Sequence, residues 1–417
     1  MRFARLSWPV ALTLVTIAGA GWAVSRHVPA LAQGPRPDSI VIADSAYKLC
    51  GSRTEKQECY ENFLTPLIAT KGVRVTMGAL DMIGRHDAWV RDEGHVLAHG
   101  IGITAGLASH DMATTFSSCS ETFQSGCQHG VIQAYFQNVH TADTANVNAL
   151  CRPYDADNNR WLRFQCVHGM GHGLTMLYQH DLPKALQGCD LLSDGWDRDS
   201  CYGGAFMENL INVTNPHHPA HALMAGMHME GMDDHAAHPF KALDSTDLHY
   251  PCTIMAERYL EACYGMQTSV MLWFNHGNVA SAAEACRHAP GTMKYVCAQS
   301  LGRDIASISH QDTREEIRLC SLADPEYQPW CHIGVAKNLV DLGARADDGF
   351  AYCRAVSGAR NKLRCYNAIG EQVATLKGGM SERAELCGHA ESAYREACRG
   401  GAGIGAVPSA MPQPKVS

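Results

Sequence analysis

Three short segments of this 417-residue chain place a histidine in the same local setting: Leu97-Ala98-His99-Gly100, Cys127-Gln128-His129-Gly130 and Cys166-Val167-His168-Gly169. Two more histidines stand one helical turn from members of that set. His95 precedes His99 by four residues, and His172 follows His168 by four. On a helix an i,i+4 pair points to one side, which is how a helix offers two imidazoles to one metal. The chemistry indicated is coordination of a transition metal by His95, His99, His129, His168 and His172. The competing reading is a column of packing or hydrogen-bonding histidines. The recurrence fills three consecutive units and stops at the fourth, Cys201-Tyr202-Gly203-Gly204, which favours a site.

Neither His95-Val96-Leu97-Ala98-His99 nor His168-Gly169-Met170-Gly171-His172 contains the glutamate of His-Glu-x-x-His, so the general base of a zincin is absent from the motif. Asp92, Glu93 and Glu208 are the carboxylates to consider as ligands, partners of ligands or acid/base groups. Imidazole-dominated sites suit zinc, copper, iron or nickel. A second group tips the choice toward copper, with zinc and iron as alternatives. Between Val213 and Leu243 lie His217, His218, His221, Met224, Met227, His228, Met229, Met232, His235 and His238, beside Asp233 and Asp234. Thioether sulfur prefers Cu(I), and imidazole accepts either copper state. This stretch reads as a secondary, weaker metal-collecting loop. Its bland counterpart is a low-complexity insertion.

The elements that position these residues are written in the cysteines. Eighteen cysteines form nine consecutive couples, and the later second members recur every 33 or 34 residues, at 263, 297, 331, 365 and 398. A fixed period of that size signals stacked helical hairpins. A couple eight to fifteen residues apart joins the two helices of a hairpin beside their turn, contributing about 2–3 kcal/mol on the chain-entropy model. In one unit, Glu316–Ala323 is the first helical run, Asp324-Pro325 the turn and Tyr327–Leu342 the second run, with Pro325 at a first helical position. A glycine three residues after many second cysteines is expected to let the second helix press on the first. The 68 residues from Cys59 to Cys127 leave room for an unbridged unit with Leu97 in the cysteine position. The expected fold is therefore an all-α superhelical solenoid of about ten αα-hairpin repeats over residues 45–400, nine of them with a local disulfide. The Met/His-rich insert occupies about 213–243. Trp161, Trp196, Trp273 and Trp330 are expected in hairpin cores.

In this architecture the chain resembles tetratricopeptide and Sel1-like α-solenoids, and in particular the cysteine-rich Sel1-like proteins whose hairpins each carry a disulfide. Its intercysteine spacing is longer than theirs, and their consensus motifs are not reproduced. The resemblance implies a superhelix with a concave binding face, and no particular function.

The ends address compartment. Met1–Arg5 is basic, Leu6–Val24 is apolar, and Ala30-Leu31-Ala32 is an A-x-A cleavage site, so residues 1–32 read as a signal peptide or, uncleaved, a membrane anchor. Residues 33–44 read as a linker and 401–417 as a disordered tail. An even set of regularly spaced cysteines belongs to an oxidising compartment, here periplasmic or secreted. Loss of residues 1–32 removes Arg2, Arg5 and Arg26 and moves the net charge from −8 to −11, which gives no electrostatic case for nucleic acid. Gly-x-Ser-x-Gly, P-loop and dinucleotide motifs are absent, and no Cys-x-x-Cys occurs. The leading function is metal binding. A scaffold holding a peptide or protein on its concave face is the alternative, and a metal-dependent redox enzyme or hydrolase a third reading.

Overall fold

The structure is a computed structural model that describes residues 36–155, 160–214 and 240–406. Among these residues there are helices and turns and no strand. Ten hairpin units follow one another. The first pairs α1 (Pro37–Cys50) with α2 (Lys56–Leu64), followed by a short α3 (Leu67–Lys71). The second pairs α4 (Val73–Gly84) with α5 (Ala88–Leu107), and it is the unit without a disulfide. Next come α6 (Met112–Ser118) with α7 (Gly126–Val139), α8 (Thr144–Leu150) with α9 (Arg160–Leu177), and α10 (Leu182–Asp190) with α11 (Gly195–Thr214). In the sixth unit a 3-10 turn at Cys252–Ile254 stands in for the first helix, and the second is broken into α12 (Leu260–Tyr264) and α13 (Gln267–Phe274). The last four pair α14 (Val279–Cys286) with α15 (Met293–Ile308), α16 (Thr313–Cys320) with α17 (Gln328–Asp341), α18 (Ala346–Ala355) with α19 (Ala359–Leu376), and α20 (Met380–Cys387) with α21 (Arg395–Gly401).

All nine disulfides join consecutive cysteines, with Cα atoms 5.4–5.8 Å apart, inside the range that bridges without backbone movement. Most first helices begin at an Asp or Asn whose side chain accepts backbone N–H groups: Asp111, Asp143, Asp181, Asn278 and Asp312. Such caps contribute about 1 kcal/mol each. Just before four of these caps a histidine takes a left-handed backbone: His140, His180, His276 and His310, with φ between 52° and 61°. These histidines serve turns and stand apart from the inner series.

The second helices form the inner wall, and glycine sets their spacing. A Cβ on Gly130 would lie 2.3 Å from His99 O, and one on Gly102 would lie 2.0 Å from Cys127 O. The same reciprocal contact joins Gly171 and Gly204 between α9 and α11, Gly302 and Gly334 between α15 and α17, and Gly370 and Gly401 between α19 and α21. The glycine after the cysteine therefore seats the second helix on the neighbouring unit's second helix, not on its own first helix as expected. It also alternates: five residues past the cysteine position at 102, 171, 302 and 370, three past it at 130, 204, 334 and 401. The units are thus locked in pairs.

The superhelix closes across its own middle. Gln124 donates from Nε2 to Asn338 Oδ1 at 2.9 Å and from its backbone N to Leu342 O at 3.4 Å. His310 bonds Asp92 at 2.7 Å. The concave face of the third unit thereby meets α17 of the eighth.

Other expectations need adjustment. Helix α1 begins at Pro37 and takes in residues placed in a linker, because Ser39 and Ala43 are buried and Ser39 Oγ donates to Val75 O at 2.9 Å. Helix α17 starts at Gln328 with Pro329, not Pro325, in its first turn. Trp161 is buried, but Trp273 is 51% exposed; Trp196 and Trp330 are half-buried under the guanidinium groups of Arg160 and Arg364. Residues 1–35, most of the tail and residues 215–239 of the insert lie outside the described residues, and with them His217, His218, His221, Met227, His228, Met229, Met232, His235 and His238. No helix among the described residues is long and apolar enough to cross a membrane.

Candidate metal centre

The glycine-set approach of α5 to α7, and the packing of α7 on α9 with Gly169 against His129, bring all five inner histidines together. His95 and His99 lie on α5, His129 in the first turn of α7, and His168 and His172 on α9. Neighbouring ring centroids are 4.6–5.7 Å apart. Two groups of three arise, His95/His99/His129 and His129/His168/His172, each offering nitrogens within 4.8 Å of one another. Either group can hold a metal ion. Ligand nitrogens 2.0–2.1 Å from one tetrahedral ion stand about 3.3 Å apart, and His95 Nε2 and His99 Nε2 are already 3.1 Å apart.

Each ring is oriented by an acceptor behind it. His95 Nδ1 donates to the carbonyl of Phe123 at 2.7 Å. His99 Nδ1 donates to Gln133 Oε1 at 2.8 Å, and His129 Nε2 to Gln165 Oε1 at 2.8 Å. His172 Nδ1 donates to Glu208 Oε2 at 2.7 Å, with both side chains 0% exposed. His168 is bonded to the backbone of Ser200. Glu208 also accepts from Gln133 Nε2 at 3.3 Å. That contact turns the amide oxygen of Gln133 toward His99, so one carboxylate orients a histidine in each group. Outer partners of this kind fix the tautomer of metal-binding histidines and raise their basicity.

Among the described residues, His129 Nδ1 and His172 Nε2 are buried with no hydrogen-bond partner. Burial, opposed in part by the Phe123 carbonyl, brings the His95 pKa down to about 4. His129 and His168 are held well below the usual histidine range, by burial first and by neighbouring histidines second. Neutral imidazole is the form that binds metal.

Of the carboxylates singled out in the sequence, Glu208 stands behind the rings. Asp92 instead bonds His310 across the superhelix, and neither Asp92 nor Glu93 belongs to a histidine group. Gln133 and Gln165 were missed. Gln133 follows His129 by four residues, so the turn rule that linked the histidines also reaches it.

Beside the histidines lies a cavity of about 210 Å³. His95, His129 and His168 border it on one side, and Arg303, Lys337, Asn338 and Asp341 on the other. No protein-family model matches this chain, and neither a characterised protein nor a solved structure does.

Proposed function

We propose that this is an exported metal-binding protein that holds one transition-metal ion, copper by preference, through His95, His99, His129, His168 and His172. The observation that carries the reading is the His95–His99 contact. Both Nδ1 atoms donate to acceptors behind the rings, so both Nε2 atoms present lone pairs, and these face each other at 3.1 Å. Two lone pairs at that distance repel, and a cation between them converts the repulsion into two coordinate bonds. His129 has one such lone pair, because its other nitrogen donates to Gln165. It therefore serves one ion at a time, although it belongs to both groups.

All-imidazole coordination is compatible with zinc and iron as well as copper. The preference for copper comes from the Met/His composition of residues 213–243, read as a loop that collects metal for the centre. Nine disulfides belong to an oxidising, extracytoplasmic setting; the basic and apolar amino terminus supports export to the periplasm or beyond.

The cavity favours a second reading, a metal-dependent redox enzyme or hydrolase, because catalysis needs space for substrate beside the metal. The peptide-scaffold reading loses support. The concave face is tied across by Gln124 and Asn338.

The test is His129→Ala against Ile333→Ala, the matching inner position of the eighth unit. His129→Ala should cut copper affinity at least 100-fold with helix content unchanged, and Ile333→Ala should leave affinity at the wild-type value. Equal affinity in His129→Ala and wild type would overturn the site.

A further inference from the structure

The wall of the cavity opposite the histidines has a chemistry of its own. Asn338 is only 4% exposed. Its Oδ1 accepts from Gln124 Nε2 at 2.9 Å, while its Nδ2 has no partner among the described residues. A buried donor without an acceptor is destabilising, and Asn338 borders the cavity. Lys337 borders the same space and pairs with Glu371 at 2.6 Å. Burial works against its charge, but Glu371, Asp341 and Glu261 more than offset this and raise its pKa.

Other groups on this wall are already committed. Arg303 Nη1 donates to Gly265 O at 2.8 Å and Nη2 to Ser269 Oγ at 2.6 Å, and its Nε pairs with Asp304 at 2.9 Å. Asp341 accepts from Gln372 Nε2 at 2.5 Å, and burial pushes its carboxyl up to about 7 against the pull of Lys337. The wall thus offers one unfilled amide donor beside an ammonium group. Three carboxyl groups near Lys337 oppose a dianion. Phe164, Met207 and Val296 supply apolar sides.

We propose that this cavity takes a small organic monocarboxylate, with its carboxylate on the Asn338 amide and the Lys337 ammonium and its apolar body directed toward the histidines. The proposal rests on the metal-centre reading for what the far end of the molecule meets, whereas the carboxylate wall is present with or without metal. It assigns a class of ligand, and of substrate if the centre is catalytic.

The test is calorimetric titration of the full chain, metal-free and copper(II)-loaded, with acetate, propionate and butyrate as probes. At least one probe should bind saturably. Asn338→Asp keeps an acceptor for Gln124 but replaces the donor with a repelling oxygen, and it should weaken binding at least tenfold. Lys337→Met should do the same, and it decides the matter if the first variant melts early. Copper content should match wild type in both variants. Absence of saturable binding by all three probes in both states, or wild-type affinity in folded variants, overturns the proposal. Protein that binds a probe but takes up no copper contradicts the metal reading and leaves the carboxylate site standing.

Discussion

The inner faces of the two halves of this solenoid use one scaffold for different ends. In the first half, Gly102 with Gly130 and Gly171 with Gly204 press successive helices together; in the second half, Gly302 with Gly334 and Gly370 with Gly401 do the same. Two residues past the cysteine position stand His99, His129 and His168 in the first half, against Gln299, Ile333 and Asn367 in the second. Six past it, His172 answers to Arg303 and Glu371. Three of the later residues find partners within the protein. Arg303 is tied to Gly265, Ser269 and Asp304, Glu371 to Lys337, and Asn367 Nδ2 donates to Ala397 O at 3.1 Å. The inner histidines are held by acceptors behind their rings, and His95 and His99 turn their Nε2 atoms to each other. The scaffold tolerates either set, so the capacity to hold a metal comes from the inner substitutions and not from the fold.

The largest expected effect tests the shared device. Gly102→Ala and Gly302→Ala each place a methyl carbon about 2 Å from a backbone carbonyl oxygen that cannot rotate away, and each should lower stability by about 3 kcal/mol in denaturant titrations. Tolerance in one half alone would show that the halves are not built alike. A second experiment sharpens the contrast. Glu208→Gln should weaken metal binding roughly 10- to 100-fold, whereas Glu371→Gln, in the corresponding half, should leave it unchanged in competition with a chelator.

Titration separates the halves in opposite directions. The depressed histidines of the first half stay neutral when folded, while unfolded histidine takes up protons below about 6.5. Their contribution is present above that pH and is lost as pH falls toward the folded value of about 4 for His95. In the second half, fully buried Glu316 is pushed up to about 7, by burial first and Asp312 second. It keeps its proton when folded, so stability declines as pH rises from the ordinary carboxyl value to about 7. Glu316→Gln should remove that decline and raise stability at pH 8 by about 2 kcal/mol, read from melts across pH. The smallest effect belongs to Trp273. Its exposure predicts a change within about 0.5 kcal/mol for Trp273→Ser, and a larger loss would restore the core role expected from sequence.

Legibility followed range. Each bridge spans at most fifteen residues, so cysteine spacing alone revealed the hairpins, the unbridged second unit and the number of repeats. The inner histidines were legible because repeat alignment and a four-residue turn place them on one side of adjacent helices. Closure of the superhelix was not. Gln124 and Asn338 lie 214 residues apart, and no local pattern announces their contact. The cavity and its carboxylate wall depend on that closure, so they were hidden too. The paired glycines were visible as letters, but their alternation between five and three residues past the cysteine has meaning only once the second helices are seen side by side.

Whether the first half holds a metal ion is decided by elemental analysis of the protein purified from its native compartment. One equivalent of copper per chain, retained through gel filtration, is expected. A stoichiometric equivalent of zinc or iron would keep the centre and correct its metal; protein with no stoichiometric transition metal would overturn the centre.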